Sequence, residues 1–237
     1  MSAWACGGGR VLGQRAVADK SDAIAAIPPL LRPLDLTGAT VTIDALGCQT
    51  ASAAQIVARG ADDALVLKDN HPTLHDDAAG DHDAWHTSEQ DHGRRETRRY
   101  WTLRDPATSA YRNQGGAWAG RGTSGMVERR RRRGAALSSE TRCSLLSGVG
   151  DAASCGHAIR RHWGSEHRVH WVRAVAFRAD ERRVRGGHSA EHLAVLRHFA
   201  RNLLRQERAA QGGIATKRFR AARDDAYLLA VLVGLQH

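Results

Sequence analysis

Apolar residues open the chain in two short runs, Ser2 to Cys6 and Val11 to Val17, separated by Gly7-Gly8-Gly9. Short apolar runs around a glycine cluster predict a β-hairpin. Ser21 or Asp22 is placed to cap a helix reaching about Leu31, with Ile24, Ile27, Leu30 and Leu31 as its stripe. Pro28 and Pro29 fall inside that stripe, and because proline has no amide hydrogen the helix is expected to be short or broken. Thr40-Val41-Thr42-Ile43-Asp44 reads as a buried strand, Ala51 to Arg59 as a helix closed by Gly60, and Asp63 to Lys68 as another strand. This alternation predicts an α/β layer with parallel neighbours.

From about Asn70 to Ala153 the periodicity dissolves into polar, glycine-rich and arginine-rich sequence, in which only Glu96 to Leu103 and Ser144 to Val149 suggest strands. An insertion or a loosely packed subdomain is expected there. Helical periodicity returns at His157 to Val172, Ser189 to Gln206 and Asp224 to Leu235. The expected division is an α/β part at 1–69, a basic insertion region at 70–153 and a helical part at 154–237.

Charge changes the picture next. Lys20, Lys68 and Lys217 are the only lysines among 35 basic residues, so the formal charge of +10 is carried by arginine. Guanidinium groups grip phosphate oxygens in pairs and stay ionised, which suits a nucleic-acid partner. Charge alone fits a basic enzyme with solvated arginines equally well. A hydrophobic fraction of 42% is enough for a real core. Cys6, Cys48, Cys143 and Cys155 form no Cys-x-x-Cys pair, which argues against a disulfide scaffold and leaves no legible structural zinc site. No apolar run is long enough to span a membrane, and Met1-Ser2-Ala3-Trp4 does not begin a secretion signal.

Two carboxylates stand out. Asp44 ends an apolar strand and precedes Ala45-Leu46-Gly47, which puts it at the C-terminal edge of a sheet, where α/β folds build sites. A loop-capping aspartate is the alternative. Glu166 shares a helical stripe with Ile159, Trp163, His170 and Arg173, an acidic group on an otherwise apolar, aromatic or basic face. If it faces Asp44, the two carboxylates suit a divalent metal, with Arg161, Arg168 and Arg173 meeting the phosphates drawn to it. An ordinary Glu–Arg surface network is the competing reading.

The segments Val41-Thr42-Ile43-Asp44-Ala45-Leu46-Gly47-Cys48-Gln49 and Leu65-Val66-Leu67-Lys68-Asp69-Asn70-His71-Pro72-Thr73-Leu74-His75 resemble the H-repeat-associated insertion-sequence transposases, the ISAs-one type. The resemblance continues through His92-Gly93-Arg94, Tyr100-Trp101, His162-Trp163-Gly164-Ser165-Glu166, His170-Trp171, Phe177-Arg178 and Asn202-Leu203-Leu204. It implies a bacterial DDE transposase with a ribonuclease H-like core. Two aspartates and a glutamate would bind two Mg2+ (or Mn2+) ions for phosphodiester cleavage and strand transfer, with Asp44 as the second carboxylate and Glu166 as the third. It also implies DNA as partner, a homo-dimer that brings two element ends together, and a place in the bacterial cytoplasm, on the nucleoid when bound to DNA.

The family's first aspartate belongs to an Asp-Gly-Lys motif upstream of the segment matching Ser2-Ala3-Trp4-Ala5, and no such motif occurs in these residues. The expectation is therefore an N-terminally truncated, catalytically impaired copy, α/β with a ribonuclease H-like core missing its first strand, an irregular or β insertion and a helical C-terminal third. A non-catalytic basic DNA-binding remnant is the alternative. His167, Ala174 and Ala179 also stand where the family tends to have Asn and acidic residues. The run Arg129 to Arg133 is expected to be a solvated charge run rather than a DNA grip. A histidine metal site from His71 and His75 or His82 and His86 is a third, weaker reading.

Overall fold

The computed structural model describes residues 1–17, 20–66, 83–91, 93–104, 123–148, 150–171, 177 and 186–234, with the side chains of 20–21, 103–104 and 164–171 outside that description. It is a mixed α/β protein of two compact units, one of residues 19–162 and one of residues 1–18 with 163–237.

In the first unit, α1 (Lys20–Leu31) leads to β3 (Thr40–Ile43), and α2 (Thr50–Val57) is the crossover to β4 (Asp62–Val66). The two strands pair in parallel, Thr40 opposite Asp62 and Ile43 opposite Leu65. That is the arrangement the strand–helix–strand alternation predicts. Ile27, Leu31, Leu36, Ile56 and Ala61 form the core over these strands, with Val41 and Ile43 packed against them. Gly60 turns the chain after α2 with φ +70, a conformation that a Cβ would penalise.

The expected break in α1 does not occur, since the helix runs through both prolines to Leu31. Both rings lie in the final turns, so they remove only the donors to Ile24 and Ala25, and the Pro28 carbonyl still accepts from the Arg32 amide at 3.1 Å and from Gln55 Nε2 at 3.0 Å. Arg59 donates to the Leu31 carbonyl at 2.7 Å and also to that of Leu34, which caps the helix end from α2. Burial of Ile27, Leu30 and Leu31, about 1.5–3 kcal/mol each, offsets the missing hydrogen bonds.

The sheet continues through four long antiparallel strands, β5 (Asp83–Asp91), β6 (Arg94–Arg104), β7 (Thr123–Arg133) and β8 (Ala136–Leu146), in the order β3-β4-β8-β7-β6-β5. Their hairpin turns use Gly93 (φ +73) and Gly134 (φ +59). Two of these strands, β5 and β7, lack the alternating apolar signal because their outer halves carry charged or polar side chains on both faces. Cross-strand pairs support the register instead, Glu96 with Arg131 and Glu140 with Arg129, while Arg94 and Arg98 flank Glu96, and Arg142 flanks Glu140, within their own strands. The hydrogen bond from Arg160 holds the Glu89 carboxyl below its usual range.

Helix α3 (Ala152–Trp171) begins against one face of this sheet. Fully buried Tyr100 stacks on Trp85 at 5.0 Å, and His157 lies 4.9 Å from the same indole. A Cβ on Gly156 would meet Trp85 ring carbons at 2.7 and 2.8 Å, so glycine is what lets the helix approach. Gly156→Ala is expected to destabilise the protein by about 2 kcal/mol through overpacking. Urea unfolding followed by tryptophan emission checks this, and the same midpoint in both proteins would contradict it.

The second unit contains the predicted hairpin, β1 (Ser2–Ala5) paired antiparallel with β2 (Arg10–Gln14) as a separate two-stranded sheet. Helix α4 (Ser189–Gln206) serves the open side of β2: Asn202 accepts from the Val11 amide at 3.0 Å and donates to the Val11 carbonyl at 2.8 Å. Buried Arg201 donates to the Gly9 carbonyl at 2.8 Å and lies over the Trp4 ring. Helices α5 (Ile214–Ala221) and α6 (Asp225–Val233) close a small core of Leu204, Ala221, Tyr227 and Val231. The sequence announces α4 and α6, but short, basic α5 escapes periodicity.

Candidate active site

Asp44 stands directly after β3, exposed, at the C-terminal end of a strand whose neighbour β4 runs parallel to it. Its Oδ1 accepts a hydrogen bond from the Gly47 amide at 3.2 Å and caps the 3-10 turn Ala45–Gly47. The capping role considered from sequence is therefore present, and it also fixes where the carboxylate sits. Gly47 is buried, and a Cβ there would collide with Ile43 and Ile27, so the turn lies tight against the core.

Glu166 lies in α3, four positions after His162, and its side chain is outside the described residues. His162 is buried, and its Nδ1 lies 2.9 Å from Thr42 Oγ1. Thr42 lies on β3, two residues before Asp44, so the strand that precedes Asp44 and the helix that carries Glu166 are joined by a side-chain hydrogen bond across 120 residues of sequence. Sequence reading missed this tie. No local pattern in the sequence links His162 to Thr42.

Of the candidate phosphate-binding arginines, Arg161 is exposed on α3, the side chain of Arg168 is outside the described residues, and Arg173 lies outside them entirely. Trp163 and Trp101 are half-buried. His86 lies exposed on β5, whereas His71, His75 and His82 lie outside the described residues. Among the described residues no group of three or more His, Cys, Asp or Glu side chains is arranged to hold a metal ion. At Asp44 the described donor set is one carboxylate, a hard oxygen ligand of the kind Mg2+ and Mn2+ prefer. Buried Cys155 is no candidate nucleophile, since burial raises its thiol pKa to about 12.

Comparison with known proteins adds a direct finding. Residues 4–203 match the family described as "Transposase DDE domain". The chain is 34% identical over 249 aligned residues to "Putative transposase YncI" of Escherichia coli O157:H7, covering 99% of this chain and 63% of that protein. It is 30% identical over 239 residues to "H repeat-associated putative transposase YhhI" of Escherichia coli K12, covering 94% of this chain and 62% of the relative. A protein of Xanthobacter autotrophicus named only by its position in the dhlA 3' region is 41% identical over 160 residues, 64% of this chain and 53% of its own length. The chain thus spans about six-tenths or less of the length of these relatives.

Proposed function

Because the chain belongs to the DDE-domain transposases, among the H-repeat-associated proteins, we propose that it acts on DNA in insertion-sequence transposition, with Asp44 and Glu166 as two carboxylates of a ribonuclease H-like site. The single observation that carries the assignment is the hydrogen bond between His162 of α3 and Thr42 of β3, which lie four residues before Glu166 and two before Asp44. On a strand, positions two apart share a face, and on a helix, positions four apart share a stripe. Residue 44 directly follows the strand, and residue 166 follows His162 by about one turn of α3.

In this reading Asp44 and Glu166 hold Mg2+ or Mn2+, which supplies positive charge to the oxygens of a phosphodiester. Asp44 contributes a carboxylate whose position is fixed by the Gly47 amide before any ligand arrives. Arg161, Arg168 and Arg173 meet the flanking phosphates, and two copies bring two DNA ends together. In this reading the setting is the bacterial cytoplasm; among the described residues no helix is long and apolar enough to cross a membrane. Two carboxylates are fewer than the family's three, so these 237 residues alone are expected to bind DNA without cutting it.

The test incubates the purified chain, Asp44→Asn and Glu166→Gln with Mg2+ or Mn2+ and duplexes bearing the element's ends. Salt-sensitive binding without nicking is the expected result. Nicking that both variants lose would keep the carboxylate roles and overturn the impairment. Nicking that survives in both would overturn the roles themselves.

A further inference from the structure

The run Arg129 to Arg133 lies in β7, and strand alternation splits it between the two faces of the sheet. On the face that α3 begins to cover, Arg129 and Arg131 are matched by acids, Glu140 facing Arg129 and Glu96 facing Arg131. These arginines belong to the fold. Arg130 and Arg132 are exposed on the opposite face, together with exposed Arg95, which faces Arg132, and exposed Arg99, which faces Glu128. Among the described positions of β5 to β8 on this second face, Glu128 is the only acidic residue, and it pairs with Arg130 at 2.7 Å. Four arginines thus stand against one glutamate on a face whose other exposed residues include His86, Gln90, Leu137 and Ser139.

We propose that this outer face of β5 to β8 is a docking surface for the phosphate backbone of duplex DNA, separate from the site at Asp44; it rests on the DNA reading above. Charge is the first argument, because guanidinium groups in excess of acids on one face fit an array of phosphates better than they fit a protein with mixed charge. Spacing is the second. Arg95 and Arg99 are four residues apart on one strand, about 14 Å, the axial length of about four phosphates of one DNA strand at ~3.4 Å each. Arg130 and Arg132, on the next strand, lie about 7 Å apart and within about 5 Å of the β6 row. Composition is the third argument. Single-stranded nucleic acid calls for exposed aromatic platforms, and the one indole described on this face, Trp101, is half-buried with Arg99 lying 5.8 Å from its ring centre. Arg132 Nε donates to the Gly134 carbonyl at 3.2 Å, which holds its guanidinium near the hairpin turn and leaves its terminal nitrogens for a ligand.

The test measures binding of the full chain to a random-sequence duplex and to a single strand of equal length between 50 and 300 mM salt. The comparison protein carries Arg95→Gln, Arg99→Gln, Arg130→Gln and Arg132→Gln. The expected result is a slope of log affinity against log salt about three to four units shallower for the duplex, and a loss of at least ~100-fold in affinity at 100 mM salt. The four lysine replacements should retain most of the slope, because a point charge still neutralises a phosphate. A glutamine variant with the wild-type melting temperature and an unchanged slope would overturn the surface while leaving DNA binding in place. A wild-type chain with no salt-dependent DNA binding would overturn both, and a single strand bound more tightly than the duplex through the same arginines would overturn the assignment to duplex. If the fourfold variant unfolds, Arg132→Glu alone replaces it, with a loss of at least ~10-fold expected and an unchanged affinity contradicting the proposal.

Discussion

Glu207→Gln is expected to destabilise the protein by about 3 kcal/mol or more, because it removes the only charge described as paired with a buried ammonium. Glu207 and Lys217 are both buried, with Lys217 Nζ 3.1 Å from the carboxylate and also donating to the Glu207 carbonyl. The same carboxylate accepts from the Tyr227 hydroxyl and from the Ala210 amide, each at 2.8 Å, so one side chain ties the end of α4 to α5 and α6. Glutamine keeps the size and much of the hydrogen bonding, but it leaves Lys217 without its counter-charge. The pH dependence follows from the same contacts. Burial raises the Glu207 pKa, but the amide, hydroxyl and ammonium donors outweigh it and hold the carboxyl at about 2, below the ordinary 4.5. The ionised form is thus favoured by folding, and its stabilisation is complete above pH ~4.5 and lost as pH falls through about 2. Acid titrations by far-UV circular dichroism should show this loss in the wild type and not in Glu207→Gln. Equal acid profiles and equal urea midpoints would contradict the assignment.

Asn202→Leu is expected to cost about 3 kcal/mol. Its amide makes both hydrogen bonds that the Val11 backbone would otherwise seek from another strand, and Val11 is buried. Leucine matches asparagine closely in shape but leaves a backbone donor and an acceptor unsatisfied, each worth roughly 1–3 kcal/mol when buried. Exchange of the Val11 amide hydrogen in the native protein gives the sharper readout: it should accelerate in Asn202→Leu well beyond amides of α6. Unchanged protection at Val11 would show that the side chain does not serve the strand.

Much of the first unit was legible from local chemistry. Thr40 to Ile43 is β-branched at every position, Gly60 ends a helical stripe, and the helical crossover through α2 is the connection that a parallel pair requires. Pro28 and Pro29 misled because their effect depends on position within the helix, which is set by packing against Ile56 and by Arg59. Strands β5 and β7 were hidden because their partners are charges on other strands, Glu89 with Arg98, Arg131 with Glu96 and Arg129 with Glu140, and such partners are not neighbours in sequence. At the site, the place of Asp44 at a strand end and of Glu166 in a helix was readable. The hydrogen bond between His162 and Thr42 was not, because it joins residues 120 positions apart. The Glu207–Lys217–Tyr227 cluster was invisible for the same reason, its members lying on three elements with α5 itself unannounced.

The pairing of Asp44 with Glu166 is the claim on which the functional reading stands, and binding of Mn2+ tests it without requiring cleavage. Electron paramagnetic resonance of free Mn2+ titrated with the full chain should show one saturable class of site, weakened at least ~10-fold, about 1.4 kcal/mol, by Asp44→Asn and by Glu166→Gln alike. The two substitutions should not be additive in the double variant, as expected when one ion is shared. Saturable binding that either substitution leaves unchanged, in a variant with wild-type circular dichroism, would contradict the account.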